Sequence, residues 1–245
     1  NGKRVYIKGV NLTPFDILYG TLTRERYEYF ISLLKEANIN FVRINGIGIT
    51  EKEDFYDLCD HYGILIWQDF IQSNCGLDAV PSKDPSFLAM LEKAAISALK
   101  MKRNHPSLAC WCGGNELKTS DELPVDESDE NIALLRNLVE EHDPGRMFFP
   151  STSSGPNFFL DVETPGGNHD VHGPWKYAGA EGHYRLYNLS DSLLHSEFGV
   201  DGMASIHSLR RFLPPEDLRV TDMAENLTWR HHGEWWDTLE RDRQL

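Results

Sequence analysis

Asn104-His105-Pro106-Ser107-Leu108-Ala109-Cys110-Trp111-Cys112-Gly113-Gly114-Asn115-Glu116 is the stretch that decides the fold. Pro106 stops whatever helix reaches it, because proline lacks an N–H and its ring collides with the preceding turn. The helix that runs toward Asn104 is opened by Asp84-Pro85, an N-cap followed by a first-turn proline. Leu108 to Trp111 then reads as a short apolar strand, closed by two glycines and a carboxylate.

The same step recurs on both sides. Upstream, Arg4 to Val10 reads as a strand, a turn follows around Pro14 to Gly20, and Thr23 to Ala37 carries Tyr27, Phe30, Ile31 and Leu34 at helical spacing. Ile39 to Ile44 is the second strand. Thr50 and Glu53 are spaced as a capping box before a helix presenting Phe55, Leu58, Cys59 and Tyr62, and Ile64 to Trp67 is the third strand. Downstream, Ile132, Leu135 and Val139 mark a helix that stops before Asp143-Pro144-Gly145, and Met147 to Pro150 is the fifth strand. The sixth and seventh are expected at His169 to His172 and Leu193 to Ser196, with helices around Met203 to Phe212 and Asp222 to Glu240.

Short apolar strands alternating with amphipathic helices imply parallel pairing through helical crossovers. No Gly-x-Gly-x-x-Gly or Walker-type loop follows a strand, which weighs against a nucleotide-binding doubly wound sheet. The expectation is an α/β fold, a (β/α)8 TIM barrel forming one domain over residues 1–245. No eighth apolar run is readable before Leu245, so the barrel is expected to be truncated before its eighth strand.

The composition agrees. A chain of 245 residues that is 40% hydrophobic can fill such a core, and a net charge of −14 leaves no basic stripe for nucleic acid. No apolar run approaches the roughly 18 residues that span a bilayer. Cys59, Cys75, Cys110 and Cys112 read as buried thiols, with Cys110 and Cys112 on one face of their strand.

In such barrels chemistry sits at the C-terminal strand ends. Three ends carry carboxylates: Trp67-Gln68-Asp69-Phe70, Gly113-Gly114-Asn115-Glu116 and Glu197-Phe198-Gly199. Glu116 and Glu197 fall about three βα units apart, at roughly 30 residues per unit of a ~250-residue barrel, on opposite walls of the mouth. From there two carboxyl groups can approach to the ~5–5.5 Å of a double-displacement glycosidase. A single strand-end carboxylate is as often a helix cap or an arginine partner. Trp111 reads as core, and Trp67 and Trp175 as aromatic faces for sugar C–H groups.

These residues resemble glycoside hydrolase family 2, in its β-mannosidase-like branch. The likeness runs through Asn1-Gly2, Lys8-Gly9-Val10-Asn11 with Pro14 and Asp16, Phe55-Tyr56-Asp57-Leu58-Cys59-Asp60, Trp67-Gln68-Asp69-Phe70, Asn104-His105-Pro106-Ser107, Trp111-Cys112-Gly113-Gly114-Asn115-Glu116 and Ser196-Glu197-Phe198-Gly199. It implies a retaining exo-β-glycosidase that cleaves a terminal β-linked sugar, a mannoside first, with Glu116 as general acid/base and Glu197 as nucleophile. The acid is expected to keep its proton because the negative Glu197 raises its pKa. Asn115 is implied to bind the sugar 2-hydroxyl and Arg43 to keep the nucleophile ionised, with Asp16, His172, Trp175 and Trp67 lining the pocket. No cofactor or metal is implied, the partner is a glycoside or oligosaccharide, and the site of action is outside the cytoplasm. Arg43-Ile44-Asn45-Gly46 departs from the pattern, placing Asn45 where such relatives carry tryptophan. The β-sandwich domains that precede the barrel in the family have no counterpart in 1–245.

Two other readings stand beside this one. His169-Asp170-Val171-His172 suggests a metal-dependent barrel hydrolase, although strand alternation turns His169 and His172 to opposite faces. An inactive or carbohydrate-binding barrel fragment is the third.

Overall fold

A computed structural model describes residues 2–74, 76, 78–175, 178–199, 204–219 and 225–232. Five parallel strands form one sheet in sequence order: β1 (Gly9–Leu12), β2 (Phe41–Ile44), β3 (Leu65–Asp69), β4 (Leu108–Cys112) and β5 (Met147–Phe149). Two more, β6 (Asp170–His172) and β7 (Leu194–Glu197), pair in parallel as a second piece. Between the pieces, isolated bridges Gly155↔Asp170 and Phe159↔His172 stand in for a ladder. Asn11 Nδ2, on β1, donates to Ser196 O on β7 at 2.9 Å, so the curved wall returns toward its starting edge. This is a partial (β/α)8 barrel, with no eighth strand among the described residues.

The helices are α1 (Arg24–Glu36), α2 (Glu53–Tyr62), α3 (Pro85–Lys102), α4 (Glu130–His142), α5 (Gly179–Leu189), α6 (Ile206–Leu209) and α7 (Leu227–His232). Thr23 caps α1 by accepting from Arg26 N, and Asp84 caps α3 by accepting from Ser86 N and Phe87 N ahead of Pro85. The capping box expected from Thr50 does not form. Lys52 is the N-cap of α2, and the Glu53 carboxylate is drawn away to Lys102 Nζ at 2.6 Å and His105 Nε2 at 2.8 Å. The first strand starts later than expected, at Gly9, and residues 4–7 are exposed. Helix α5 was not expected, and none of its residues is buried. Cys75, Met203, Asp222 and Glu240 lie outside the described residues, so the two terminal helices are seen only as α6 and α7.

Alternation along the strands sorts the core into two layers. Val42, Ile44, Ile66, Leu108, Trp111 and Phe148 face the helices and join Tyr27, Ile31, Phe55, Leu99, Ile132 and Leu135. Trp111 is among them, stacked on Phe70 at 5.2 Å and donating Nε1 to Asp143 Oδ2 at 2.8 Å. Inside the barrel Phe41, Trp67, Cys110 and Cys112 pack with Phe149 and Leu194. Trp67 lies flat on Phe149, centroids 4.4 Å apart, and forms the floor above which the polar strand ends gather.

Those strand ends interlock through glycine. A Cβ on Gly113 would sit 2.2 Å from Pro150 O, and one on Gly46 would sit 2.2 Å from Gln72 O. Both are backbone obstacles that no rotamer relieves. Gly113→Ala is therefore expected to cost at least about 1–3 kcal/mol of stability, the range for forced overpacking. Equilibrium denaturation checks it, and a loss below 0.5 kcal/mol, on the order of a neutral surface change, would mean the β4 and β5 ends are not packed as described.

Candidate active site

Arg43 is the third residue of β2, points into the barrel above the Trp67 ring, and is only 2% exposed. A buried guanidinium must be paired and its donors satisfied. Nη2 reaches Asp69 Oδ2 at 2.7 Å, Asn115 Oδ1 at 2.8 Å and Thr152 Oγ1 at 2.6 Å. Nη1 reaches Glu197 Oε1 at 2.6 Å and Asn11 Oδ1 at 3.1 Å. Burial alone would lower the pKa of Arg43, but Asp69 and then Glu197 outweigh it and hold the group above its ordinary value.

Sheet pairing continues past the named strands and brings the loop residues in. Isolated parallel bridges Ser73↔Asn115 and Asn115↔Thr152 extend the β3–β4–β5 order by one more layer. Asn115 is buried there, accepting from Arg43 and donating Nδ2 to Ser73 Oγ at 3.0 Å, which leaves its second N–H for a ligand.

Glu116 follows at φ +54°, in the left-handed region where a side chain carries a cost of order 1–3 kcal/mol. Its backbone N–H donates to Thr152 O at 2.6 Å, and this conformation turns the carboxylate over the barrel mouth. There Oε1 lies 3.1 Å from His172 Nδ1, and Oε2 accepts from Asn74 Nδ2 at 3.3 Å. The His172 hydrogen bond, opposed by burial, holds Glu116 below the usual carboxylate range. This corrects the expectation that Glu197 raises the acid's pKa, since the closest group to Glu116 is an imidazole rather than the second carboxylate. Glu197, the last residue of β7, meets Arg43 and Asn45 on Oε1, and its Oε2 is 3.9 Å from His172 Nδ1. One ligand atom each from Glu116, His172 and Glu197 lies within 4.8 Å of the others.

The structure thus brings together Glu116, Glu197, Arg43, Asn115 and His172. Trp175, exposed at the rim, meets the edge of the His172 ring at 6.2 Å. Two expectations are corrected. Trp67 is 2% exposed with its faces taken by Phe149 and Arg43, so it offers no surface to a sugar. Asp16 accepts from Leu18 N at 3.0 Å in a local turn and makes no hydrogen bond to this network among the described residues. Asn45, Asn74, Asp69 and Thr152 also belong to the site. Asn45 carried a signal as the departure from the family pattern and Asp69 as a charge at a strand end, whereas Asn74 was not expected.

The His169-Asp170-Val171-His172 metal reading is also corrected. His169 is exposed, Asp170 accepts from Ser154 N and Oγ, and His172 turns to Glu116. Among the described residues two groups have metal-ligand spacing, Glu53–Asp57–His105 and Glu116–His172–Glu197. In the second, Arg43 and Asn45 already occupy Glu197 Oε1, and the guanidinium supplies the positive charge beside it. A proton-transfer pair fits these donors better. Among the described residues no helix is long and apolar enough to cross a membrane.

Residues 1–154 match the family model for glycosyl hydrolases family 2, TIM barrel domain. Beta-mannosidase B of Aspergillus fumigatus is 28% identical over 234 residues, covering 88% of this chain and 27% of that protein. Beta-mannosidase of Mus musculus is 28% identical over 240 residues, covering 89% and 26%. The chain therefore spans about a quarter of the length of the curated relatives it matches. The crystal structure of beta-D-mannosidase from Dictyoglomus thermophilum superposes with a TM-score of 0.72 at 26% identity, covering 97% of this chain and 28% of that one. Beta-glucuronidase 3 of Bacteroides uniformis, at 20% identity and TM-score 0.55 over 83% of this chain and 26% of that one, shares the fold.

Removing the central cation tests the network. Arg43→Met leaves Asp69 buried without its partner, and unfolding should become easier by about 3–5 kcal/mol. Chemical denaturation measures it. A change under about 1 kcal/mol, the worth of an exposed pair, would contradict the burial of this charge.

Proposed function

The chain belongs to glycosyl hydrolase family 2, and from that premise we propose that residues 1–245 act as one retaining exo-β-glycosidase barrel that hydrolyses a terminal β-mannoside. The observation that carries the reading is the carboxylate pair. Glu116 and Glu197 present oxygens within 4.8 Å of each other, near the ~5–5.5 Å of double displacement and short of the ~6.5–9.5 Å that inverting enzymes keep for a water. Mannose is supported by the relatives named beta-mannosidase and by the superposed beta-D-mannosidase. Action outside the cytoplasm follows from the family resemblance.

In the first step the Glu197 carboxylate forms a bond to the anomeric carbon. The bond to the leaving oxygen breaks, and that oxygen takes the Glu116 proton. In the second step Glu116 removes a proton from water, whose oxygen attacks the anomeric carbon and releases Glu197. Arg43 sets its positive charge against the nucleophile at 2.6 Å, and the spare Asn115 N–H meets the sugar 2-hydroxyl. The free site holds Glu116 low through His172. A sugar seated between the carboxylates displaces water and favours the neutral acid. Once Glu197 is esterified its charge is gone, which suits Glu116 to its second role as base.

Three assays on the intact protein follow. Across a panel of nitrophenyl β-glycosides, the mannoside should be the fastest, and Glu197→Gln should lose at least about a thousandfold in kcat, beyond the worth of one hydrogen bond. No turnover on any sugar would favour a binding module. Glu116→Ala should lose about 10²–10⁴-fold in kcat/KM on alkyl β-mannosides, the worth of general acid catalysis, yet retain kcat/KM on the dinitrophenyl substrate, whose leaving group needs no proton, while kcat falls because the second step has lost its base. Equal losses on both would remove Glu116 from the acid role.

A pH profile tests His172. Its hydrogen bond lowers the Glu116 pKa, so His172→Phe raises that pKa. The protonated acid then persists to higher pH, and the alkaline limb of kcat/KM moves upward. A downward or absent shift would contradict this contact.

A further inference from the structure

Asn45 is 6% exposed and every polar atom of its side chain is committed. Oδ1 accepts from Ile47 N at 2.9 Å, which fixes the amide orientation. Nδ2 must then face the site, where it donates to Glu197 Oε1 at 2.9 Å and Asn115 Oδ1 at 3.1 Å. No donor remains for a sugar. Glu197 Oε1 receives two hydrogen bonds, from Arg43 Nη1 at 2.6 Å and from Asn45. Its Oε2 receives none among the described residues, the nearest imidazole nitrogen being 3.9 Å away.

We propose that Asn45 is a positioning residue that, with Arg43, ties down Oε1 of Glu197 and so selects Oε2 as the attacking oxygen. This rests on the reading of Glu197 as nucleophile. An Oε2 lone pair forms the bond to the anomeric carbon, the electrons of the broken bond go to the leaving oxygen, and Glu116 supplies its proton. Arg43 alone leaves the carboxylate free to turn about the bond that carries it. A second donor from the neighbouring strand end removes that rotation. The arrangement also divides the work of two neighbouring amides of the mouth: Asn45 serves the enzyme's own carboxylate, and Asn115 keeps an N–H for the substrate.

The charged and titratable groups facing Glu197 are Arg43 from β2, His172 from β6 and Glu116 beyond β4, with Asp69 of β3 acting through Arg43. None is altered by a change at Asn45. Asn45→Asp keeps the acceptor for Ile47 but replaces the donor by a negative oxygen, and Asn45→Ala removes both. In the intact protein both should lose about ten- to a hundredfold in kcat/KM on dinitrophenyl β-mannoside, the scale of one charge-assisted hydrogen bond. The acid limb of the pH–rate profile should move upward in both variants, because the carboxylate loses a hydrogen-bond donor, and further in the aspartate variant, which adds a like charge. Covalent trapping by a 2-deoxy-2-fluoro-β-mannosyl fluoride, followed by intact mass on the folded fraction, should slow in parallel. A loop-propping role would lower the melting temperature of the alanine variant and leave the acid limb and trapping rate where they are, which overturns the proposal. Unmodified protein that labels at no position, together with an active Glu197→Gln variant, would instead overturn the nucleophile assignment itself.

Discussion

A guanidinium buried inside a barrel cannot be left unpaired, and that constraint organises the mouth of this protein. The cost of taking Arg43 out of water is repaid only where several oxygens converge on it. They come from almost every wall: Asn11 of β1, Asp69 of β3, Asn115 and Thr152 from the loops after β4 and β5, and Glu197 of β7. Asp69 is the permanent counterion, since it is fully buried and also accepts from Gly46 N at 2.9 Å. Glu197 is the partner with an outlet, being partly exposed and bound through one oxygen. One cation thus fixes a structural carboxylate and orients the proposed nucleophile, and the site and the barrel share a single network.

The approach of the strand ends is a matter of backbone volume. Gly46, Gly113 and Gly114 lie where the loops after β2, β3, β4 and β5 touch, and any Cβ there meets a carbonyl of a neighbouring loop. Close contact lets the parallel pairing run one layer further, into Ser73, Asn115 and Thr152. Glu116 sits just beyond, at positive φ. Strain of this kind persists only where the surroundings over-determine it, and here the backbone bond to Thr152 and the side-chain bonds to His172 and Asn74 do so.

The alternation of strands and helices was legible because it is written in burial, with Pro106, Asp84 and the 143–145 turn as punctuation. Glu116 and Glu197 were legible as charges at apolar strand ends. Less was visible where the signal is tertiary. The α5 helix buries no residue, so no core contact fixes it in the way that the other long helices are fixed. Asn74 is small, neutral and aperiodic, and only the register of neighbouring strand ends shows that it shares a site with Asn45 and Thr152. Trp67 was read as a platform, yet alternation along β3 puts it one layer below Asp69, in the packed interior. The rhythm does not say how deep along a strand the mouth begins.

The two carboxylates differ by environment rather than by type. Glu197 meets a permanent cation and an amide, neither of which changes charge near neutral pH. Glu116 meets an imidazole and an amide, and imidazole is the side chain whose ordinary titration falls in that range. A nucleophile has to stay ionised throughout binding, whereas an acid/base has to give up and regain a proton within each cycle. Exchanging the partners would reverse the fitness of the two positions for these tasks. The proposed division of roles rests on what surrounds each group, with Arg43 as the fixed point from which both environments are set.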